Sequence, residues 1–186
     1  MKTLLAAIAA TALVAVAAIA LSYWSAGQGA APTAIEARYI TPGDRFLDVA
    51  GAQIRIREEG PQDAPALLLL HGFLYSLETW DAWAERLSTD YRVIRYDLLG
   101  HGLSGPDTLE RYAPKERAAF VGDVLDALSV ERAIVAGNSL GGLAAWRFAA
   151  THPERVSALI LVAPGGYSIN GVSETPVNPP APMRAF

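Results

Sequence analysis

The sequence predicts an α/β protein built on a mostly parallel sheet, and three observations support this prediction. Strand-like apolar runs alternate with helix-like segments from Leu67 onward, as crossover helices between parallel strands require. Residues 66–70 form an apolar run between Pro65 and Gly72, typical of a strand buried on both faces. With 186 residues, the chain is long enough for one domain with a substantial core.

Six strands and three helices are expected in order along the chain. Residues 46–49 and 53–58 flank Gly51 and predict a hairpin, whose second strand alternates isoleucine with arginine. Further strands are predicted at 66–70, 91–96, 133–136 and 158–162, with helices around 80–87, from Pro114 onward, and at 140–151. The aromatic residues in these segments are assigned to the core.

Composition excludes several classes of function. The formal net charge is −4, and the only lysines are Lys2 and Lys115, so the basic surface that nucleic acids require is absent. The chain has no cysteine, which excludes disulfides, thiolate metal sites and thiol nucleophiles. The sequence therefore predicts no nucleic-acid partner, no metal and no cofactor, and it leaves the oligomeric state open.

The N-terminal segment, residues 1–24, predicts a membrane anchor or a signal segment. Residues 4–21 carry no charge, Lys2 precedes them and Tyr23 and Trp24 follow. Eighteen helical residues span about 27 Å, just short of the bilayer core. An uncleaved hydrophobic helix anchored in the membrane, a cleaved export signal and a cytoplasmic helix remain alternatives. The first two place the domain on the periplasmic or extracellular side, either membrane-anchored or secreted, and residues 25–44 are interpreted as a linker.

A glycine motif at Gly100 to Gly105 matches the dinucleotide-binding pattern G-x-G-x-x-G only superficially. That pattern functions when a helix begins within it and directs amide N–H groups at a pyrophosphate. Here Pro106 and Asp107 follow at once, and the next helical pattern begins near Pro114. We therefore do not interpret the motif as a cofactor site.

A second glycine motif predicts a catalytic serine. Gly137-Asn138-Ser139-Leu140-Gly141 lies between a predicted strand and a predicted helix, the context of a nucleophile elbow. Gly137 and Gly141 allow the strand and the helix to approach closely, and the Leu140 N–H is directed toward the space beside the serine. The alternative is a Gly/Ser cap at the start of a helix.

His71-Gly72-Phe73 follows the buried strand at 66–70, where the second donor of an oxyanion hole is expected. Gly72 lets the backbone turn so that the Phe73 N–H faces the substrate carbonyl. Two such donors stabilise charge that develops in the transition state. We interpret His71 as a hydrogen-bonded structural histidine rather than a base.

These motifs, in this order and spacing, resemble those of the α/β-hydrolase superfamily, in its serine-hydrolase branch. The resemblance extends from Phe46 to Tyr167 and rests on residues 71–73, 97–104, 137–142 and 152–156. It implies Ser139 as the nucleophile, with the Phe73 and Leu140 amides as the oxyanion hole and His71, Gly72, Gly137, Asn138 and Gly141 shaping the site. Related dehalogenases and epoxide hydrolases carry Asp at the elbow, so Ser139 indicates ester-type acyl chemistry.

The chain departs from the family pattern after the serine, where an acid and then a histidine are expected. Only Glu154 and Glu174 follow, and His152 lies one helix length from Ser139, about 20 Å away. We therefore expect residues 45–168 to be the N-terminal part of the hydrolase core and 169–186 to begin a cap segment. On this interpretation the chain is a fragment without its triad acid and base, and it is inactive as given.

Three functions remain open at this point. The first is a serine hydrolase that acts on carboxylic esters or similar small acyl substrates. The second is a carbon–carbon bond hydrolase of the type that cleaves ring-fission products, which Asn138 and Gly142 resemble. The third is a non-catalytic interaction module whose open sheet edge after residues 158–162 is covered by a partner.

Overall fold

The computed structural model describes residues 38–166, and the chain divides into the units Met1–Thr41 and Pro42–Phe186. The predicted anchor segment at 1–24 and the predicted cap segment at 169–186 lie outside the described residues. The strands are β1 Asp44–Val49, β2 Ala52–Glu59, β3 Ala66–Leu70, β4 Arg92–Tyr96, β5 Ala133–Asn138 and β6 Val156–Val162. The α-helices are α1 Asp81–Leu87, α2 Pro114–Ala127 and α3 Ser139–Thr151, with 3₁₀ turns at Leu77–Trp80 and Pro153–Arg155.

The six strands form one mixed sheet in the order β1-β2-β4-β3-β5-β6. β1 and β2 pair in antiparallel orientation, as do β2 and β4, whereas the β4–β3, β3–β5 and β5–β6 pairs are parallel. The prediction of a mostly parallel six-stranded sheet is therefore confirmed. β1 begins at Asp44, within the predicted linker, because its carboxylate pairs with arginines of β2.

The strand register places the C-terminal ends of β3, β4 and β5 next to one another. Leu70 of β3 lies beside Tyr96 of β4 on one side and beside Gly137 of β5 on the other. Ligand and catalytic sites of such sheets lie beyond the carboxyl ends of the parallel strands. The segments that follow these three strands therefore share one neighbourhood.

Alternate residues of β3 pack into different apolar clusters on the two faces of the sheet. Leu68 and Leu70 belong to the larger cluster, with side chains from α2 and α3, whereas Leu67 and Leu69 belong to a smaller one with Trp80 and Ala84. This confirms the prediction that 66–70 is buried on both faces. Because β3 is packed on both faces, the position of its C-terminal end is fixed.

The arginines of β2 are buried, although the alternation with isoleucine is what a half-buried strand would show. Arg55 and Arg57 are 2% and 8% exposed, and Arg95 of β4 is 1% exposed. Arg57 and Arg95 are register partners, so two like charges lie side by side. The carboxylates that compensate them belong to Asp44, Glu59, Glu78 and Asp81. A buried charge without such partners would cost several kcal/mol.

Within the described residues, β6 pairs only with β5. Leu159, Ile160 and Val162 of β6 are each more than a third exposed. Across residues 38–166 we find no helix with the length and apolar character needed to cross a membrane.

Replacing Arg95 with alanine is expected to lower the free energy of unfolding by about 3 kcal/mol, because it removes a buried side chain together with its hydrogen bond to the Leu77 carbonyl and its two ion pairs. Arg95 donates to Asp81 at 2.6 Å and to Glu59 at 2.7 Å. The matched control is Arg45→Ala, whose side chain is 56% exposed in its pair with Glu58. That change should cost less than about 1 kcal/mol. If urea denaturation shows the same loss of unfolding free energy for both variants, the buried Arg95 does not have the importance given to it here.

Candidate active site

Ser139 occupies a sharp turn between β5 and α3. It is the first residue of α3, and its φ of 48° lies in the left-handed region that non-glycine residues rarely adopt. Such strain persists only where surrounding structure enforces it, and it is concentrated at functional sites. Among residues 38–166, no group forms a hydrogen bond with the Ser139 hydroxyl. The side chain is partly exposed.

Two glycines make this turn possible because they allow close backbone contacts. Gly137 of β5 lies against α3, and Gly141 of α3 lies against the end of β3. A Cβ on Gly137 would lie 2.6 Å from the Gly142 nitrogen. A Cβ on Gly141 would overlap the carbonyl oxygens of Leu70 and His71 at the end of β3. The start of α3 therefore rests directly on the end of β3, as only glycine permits.

The segment after β3, residues 71–76, touches the serine turn; we call it the β3 loop. A Cβ on Gly72 would lie 2.7 Å from Asn138 Oδ1 and 3.4 Å from the Ser139 Cβ. Asn138 itself is engaged with β6, because its Nδ2 donates to the Val162 carbonyl at 3.0 Å. The Gly72 backbone and Ser139 are therefore brought together, while the Asn138 amide joins two strands.

His71 holds the peptide between Gly72 and Phe73. The Leu98 N–H donates to His71 Nε2 at 2.9 Å, so this nitrogen carries the lone pair and Nδ1 carries the hydrogen. Nδ1 then donates to the Gly72 carbonyl at 2.7 Å. Because the peptide is trans, the Phe73 N–H points away from His71. This ring therefore sets the direction of the predicted oxyanion donor.

Two backbone donors without a protein acceptor lie in segments that meet at Ser139. The Phe73 N–H makes no hydrogen bond within the described part of the chain. Leu140 is the second residue of α3, so its N–H is among the four that a helix leaves unsatisfied. The positive end of the α3 dipole adds to this field. The arrangement is suited to stabilising a negative oxygen formed beside Ser139.

None of the three histidines of the chain is placed as a base for Ser139. His71 is committed to two backbone groups, and burial lowers its pKa to about 4. The Nδ1 of His101 lies 3.1 Å from the Leu99 carbonyl oxygen, and its ring contacts the rings of His71 and Phe73. Burial also lowers the pKa of His101. His152 stacks on Phe148 at the far end of α3.

Sequence reasoning missed the importance of Asp97. Its carboxylate is fully buried and accepts N–H groups from Leu77 at 2.7 Å and Leu103 at 2.8 Å. Burial raises the pKa of Asp97, with these hydrogen bonds and the Arg55 charge opposing the shift. Two features of the sequence could have indicated this role: an aspartate directly after a buried strand, and the glycine-rich turn that follows it.

Gly141→Ala is expected to destabilise the protein by about 2 kcal/mol, because the new methyl group forces α3 away from β3. Gly43→Ala is the matched control, since its Cβ would meet Arg57 Cγ at an ordinary 3.6 Å. Thermal unfolding of both variants provides the comparison. If Gly141→Ala unfolds at the wild-type temperature, the proposed contact between α3 and β3 is not a constraint.

His71 should make stability depend on pH between about 4 and 6.5. Folding favours the neutral ring, because burial lowers the pKa of His71 from an ordinary 6.5 to about 4. Above pH 6.5 the stability is fully present; as the pH falls toward 4, only the unfolded chain takes up the proton. Linkage gives a loss of about 3 kcal/mol across this window. Urea unfolding of His71→Asn should show a correspondingly flatter profile, whereas an unchanged slope would contradict the assignment.

Comparison with known proteins agrees with this geometry. The family model described as the alpha/beta hydrolase fold matches residues 65–185. The crystal structure of naproxen esterase from Bacillus subtilis superposes with a TM-score of 0.61 at 33% identity, covering 65% of this chain and 42% of that one.

Two curated proteins illustrate how varied the relatives are. A Bacillus subtilis protein provisionally named 2-succinyl-6-hydroxy-2,4-cyclohexadiene-1-carboxylate synthase is 36% identical over 112 residues, covering 60% of this chain and 40% of the relative. Epoxide hydrolase 1 of Caenorhabditis elegans is 30% identical over 117 residues, covering 62% and 29%. The chain thus spans two-fifths or less of the length of these two relatives. Since the family model covers well over half of the chain, the protein belongs to the α/β-hydrolase fold family.

Proposed function

We propose that the protein is a serine hydrolase that cleaves carboxylic esters or similar small acyl substrates through an acyl-enzyme on Ser139. The observation that carries the proposal is the strained serine between β5 and α3, next to the β3 loop. Its hydroxyl has no partner in residues 38–166, and the Phe73 and Leu140 amides lie in the two segments that meet there.

In the proposed mechanism, Ser139 Oγ attacks the ester carbonyl while a base accepts its proton. The carbonyl oxygen becomes an oxyanion that accepts hydrogen bonds from the Phe73 and Leu140 N–H groups. Collapse of this intermediate expels the alcohol, which takes the proton back from the base and leaves the acyl group on Ser139. Water, deprotonated by the same base, then attacks the acyl carbonyl. The bond between the acyl carbon and Ser139 Oγ breaks, the base returns its proton to Oγ, and the carboxylic acid leaves.

The mechanism also requires a base and an orienting acid. His71 binds backbone groups through both ring nitrogens, and His101 is buried and forms no hydrogen bond with Ser139. His152 lies about 20 Å from Ser139 along α3. No other histidine occurs in the sequence. We therefore propose that both groups come from a part of the whole protein beyond this sequence, and that residues 38–166 supply the nucleophile and the oxyanion hole.

The residue at the elbow favours acyl chemistry over the reactions of other relatives. One relative is an epoxide hydrolase, a class whose members carry Asp at the elbow, whereas this chain has Ser139. The resemblance of Asn138 to carbon–carbon bond hydrolases carries less weight, because its Nδ2 is occupied by the Val162 carbonyl. Naproxen esterase, one of the structural relatives, is named for ester hydrolysis.

In the whole protein, a fluorophosphonate should form a covalent adduct on Ser139, because the probe requires an activated hydroxyl and leaves its phosphoryl oxygen in the oxyanion hole. The Ser139→Ala variant should lose both labelling and turnover of a nitrophenyl acetate ester. Ser157→Ala, which changes an exposed serine of β6, is the control and should be labelled normally. Undiminished labelling of Ser139→Ala, located by peptide mass spectrometry, would refute the proposed nucleophile.

A further inference from the structure

The β3 loop is held at both of its ends by two consecutive residues, Asp97 and Leu98, which follow β4 directly. At the leading end, the Leu98 N–H donates to His71 Nε2 at 2.9 Å. At the trailing end, Asp97 Oδ1 accepts the Leu77 N–H at 2.7 Å. The five residues between these anchors include Gly72 and Phe73, whose shared peptide carries the proposed oxyanion donor.

The Asp97 carboxylate is surrounded on several sides. Its Oδ2 accepts the Leu103 N–H at 2.8 Å and lies 3.4 Å from Arg55 Nη1. Gly102, with a φ of +51°, passes so close that a Cβ there would overlap the carboxylate. The side chain is fully buried, so its position cannot change without moving the backbone around it.

The backbone that follows Asp97 is connected to the Phe73 N–H by two hydrogen bonds. Leu98 follows Asp97 directly in the chain, and the Leu98 N–H holds the His71 ring. His71 in turn holds the Gly72 carbonyl at 2.7 Å, and the planar peptide transmits that orientation to the Phe73 N–H. The Phe73 side chain is 37% exposed and rests on His101, so side-chain burial does little to hold the loop.

We propose that Asp97 is a positioning residue for the oxyanion hole: its carboxylate holds the Leu77 end of the β3 loop, while the adjoining Leu98 N–H holds the other end through His71. This inference rests on the proposed function, because it assigns a catalytic purpose to the loop. Asp97 contacts no reacting atom. Its effect is to keep the Gly72–Phe73 peptide from rotating. Rotation would turn the Phe73 N–H, one of the two donors, away from the oxyanion.

The isosteric change Asp97→Asn tests this role because an amide cannot replace the carboxylate here. The two backbone N–H groups approach different oxygens of Asp97, and asparagine offers one acceptor and one donor. Because the Oδ2 position faces both the Leu103 N–H and Arg55 Nη1, the amide oxygen should occupy it. The NH₂ group would then face the Leu77 N–H, and the anchor at the trailing end of the loop would be lost.

Asp107→Asn is a matched control. Asp107 is also a buried loop aspartate that accepts two backbone N–H groups, from Leu109 and Arg111, and pairs with an arginine. Within residues 38–166, no hydrogen bond joins it to the β3 loop. Any general penalty of replacing a buried aspartate is therefore present in both variants, whereas the effect on the oxyanion hole is confined to Asp97→Asn.

The experiment measures kcat and KM of the whole protein with nitrophenyl acetate for wild type, Asp97→Asn, Asp107→Asn and Ser139→Ala, with unfolding temperatures to confirm that each is folded. Asp97→Asn should lower kcat by about 10²-fold, the size of losing one oxyanion donor, with KM within about threefold of the wild-type value. Asp107→Asn should keep kcat within about twofold. Should Asp97→Asn not fold, His71→Asn, which releases the other end of the loop, must show the same selective loss of kcat.

The outcomes separate this inference from the function on which it rests. An inactive Ser139→Ala together with a wild-type kcat for Asp97→Asn would overturn the positioning role and leave the serine hydrolase intact. The same holds if Asp107→Asn loses as much kcat as Asp97→Asn. Full activity of Ser139→Ala would instead remove the proposed function itself.

Discussion

The left-handed backbone of Ser139 is the constraint on which the rest of the site depends. A serine with φ of 48° is strained, and it is held because α3 begins directly against the end of β3. Gly141 lies on the Leu70 and His71 carbonyls, and Gly137 lies beneath the next turn of α3. Since β3 is covered by apolar side chains on both faces, its end is a fixed support for the turn at Ser139. The buried sheet thereby keeps the hydroxyl of the proposed nucleophile at the carboxyl ends of its strands.

The segment that carries the proposed oxyanion donor Phe73 depends on polar interactions rather than on apolar burial. The β3 loop carries the exposed side chains of Phe73, Leu74 and Tyr75, so hydrogen bonds to buried groups must hold it. Those groups belong to the segment after β4, which is connected through Arg55 to the buried carboxylates. Buried arginines are costly without partners. Here their partners also support the segment that anchors the loop.

The sequence was sufficient to predict the parts of the fold that rest on periodicity and on glycine motifs. The apolar run at 66–70 and the serine between Ala136 and Leu140 depend on local patterns, so β3, β5 and α3 could be predicted within a few residues. The buried arginines could not, because alternation along β2 does not reveal whether a second layer covers its polar face. Asp97 was missed because its partners at Leu77 and Leu103 are backbone N–H groups, so only its place after a buried strand and the glycine-rich turn behind it could have indicated the role.

The most direct test of the central claim is a crystal structure of the whole protein after reaction with a phosphonate ester. We expect a bond between phosphorus and Ser139 Oγ, with the phosphoryl oxygen about 2.7–3.1 Å from both the Phe73 and the Leu140 nitrogen. The His71 ring should still join Leu98 N–H to the Gly72 carbonyl. An adduct on another residue would contradict the account, as would a phosphoryl oxygen that reaches neither amide.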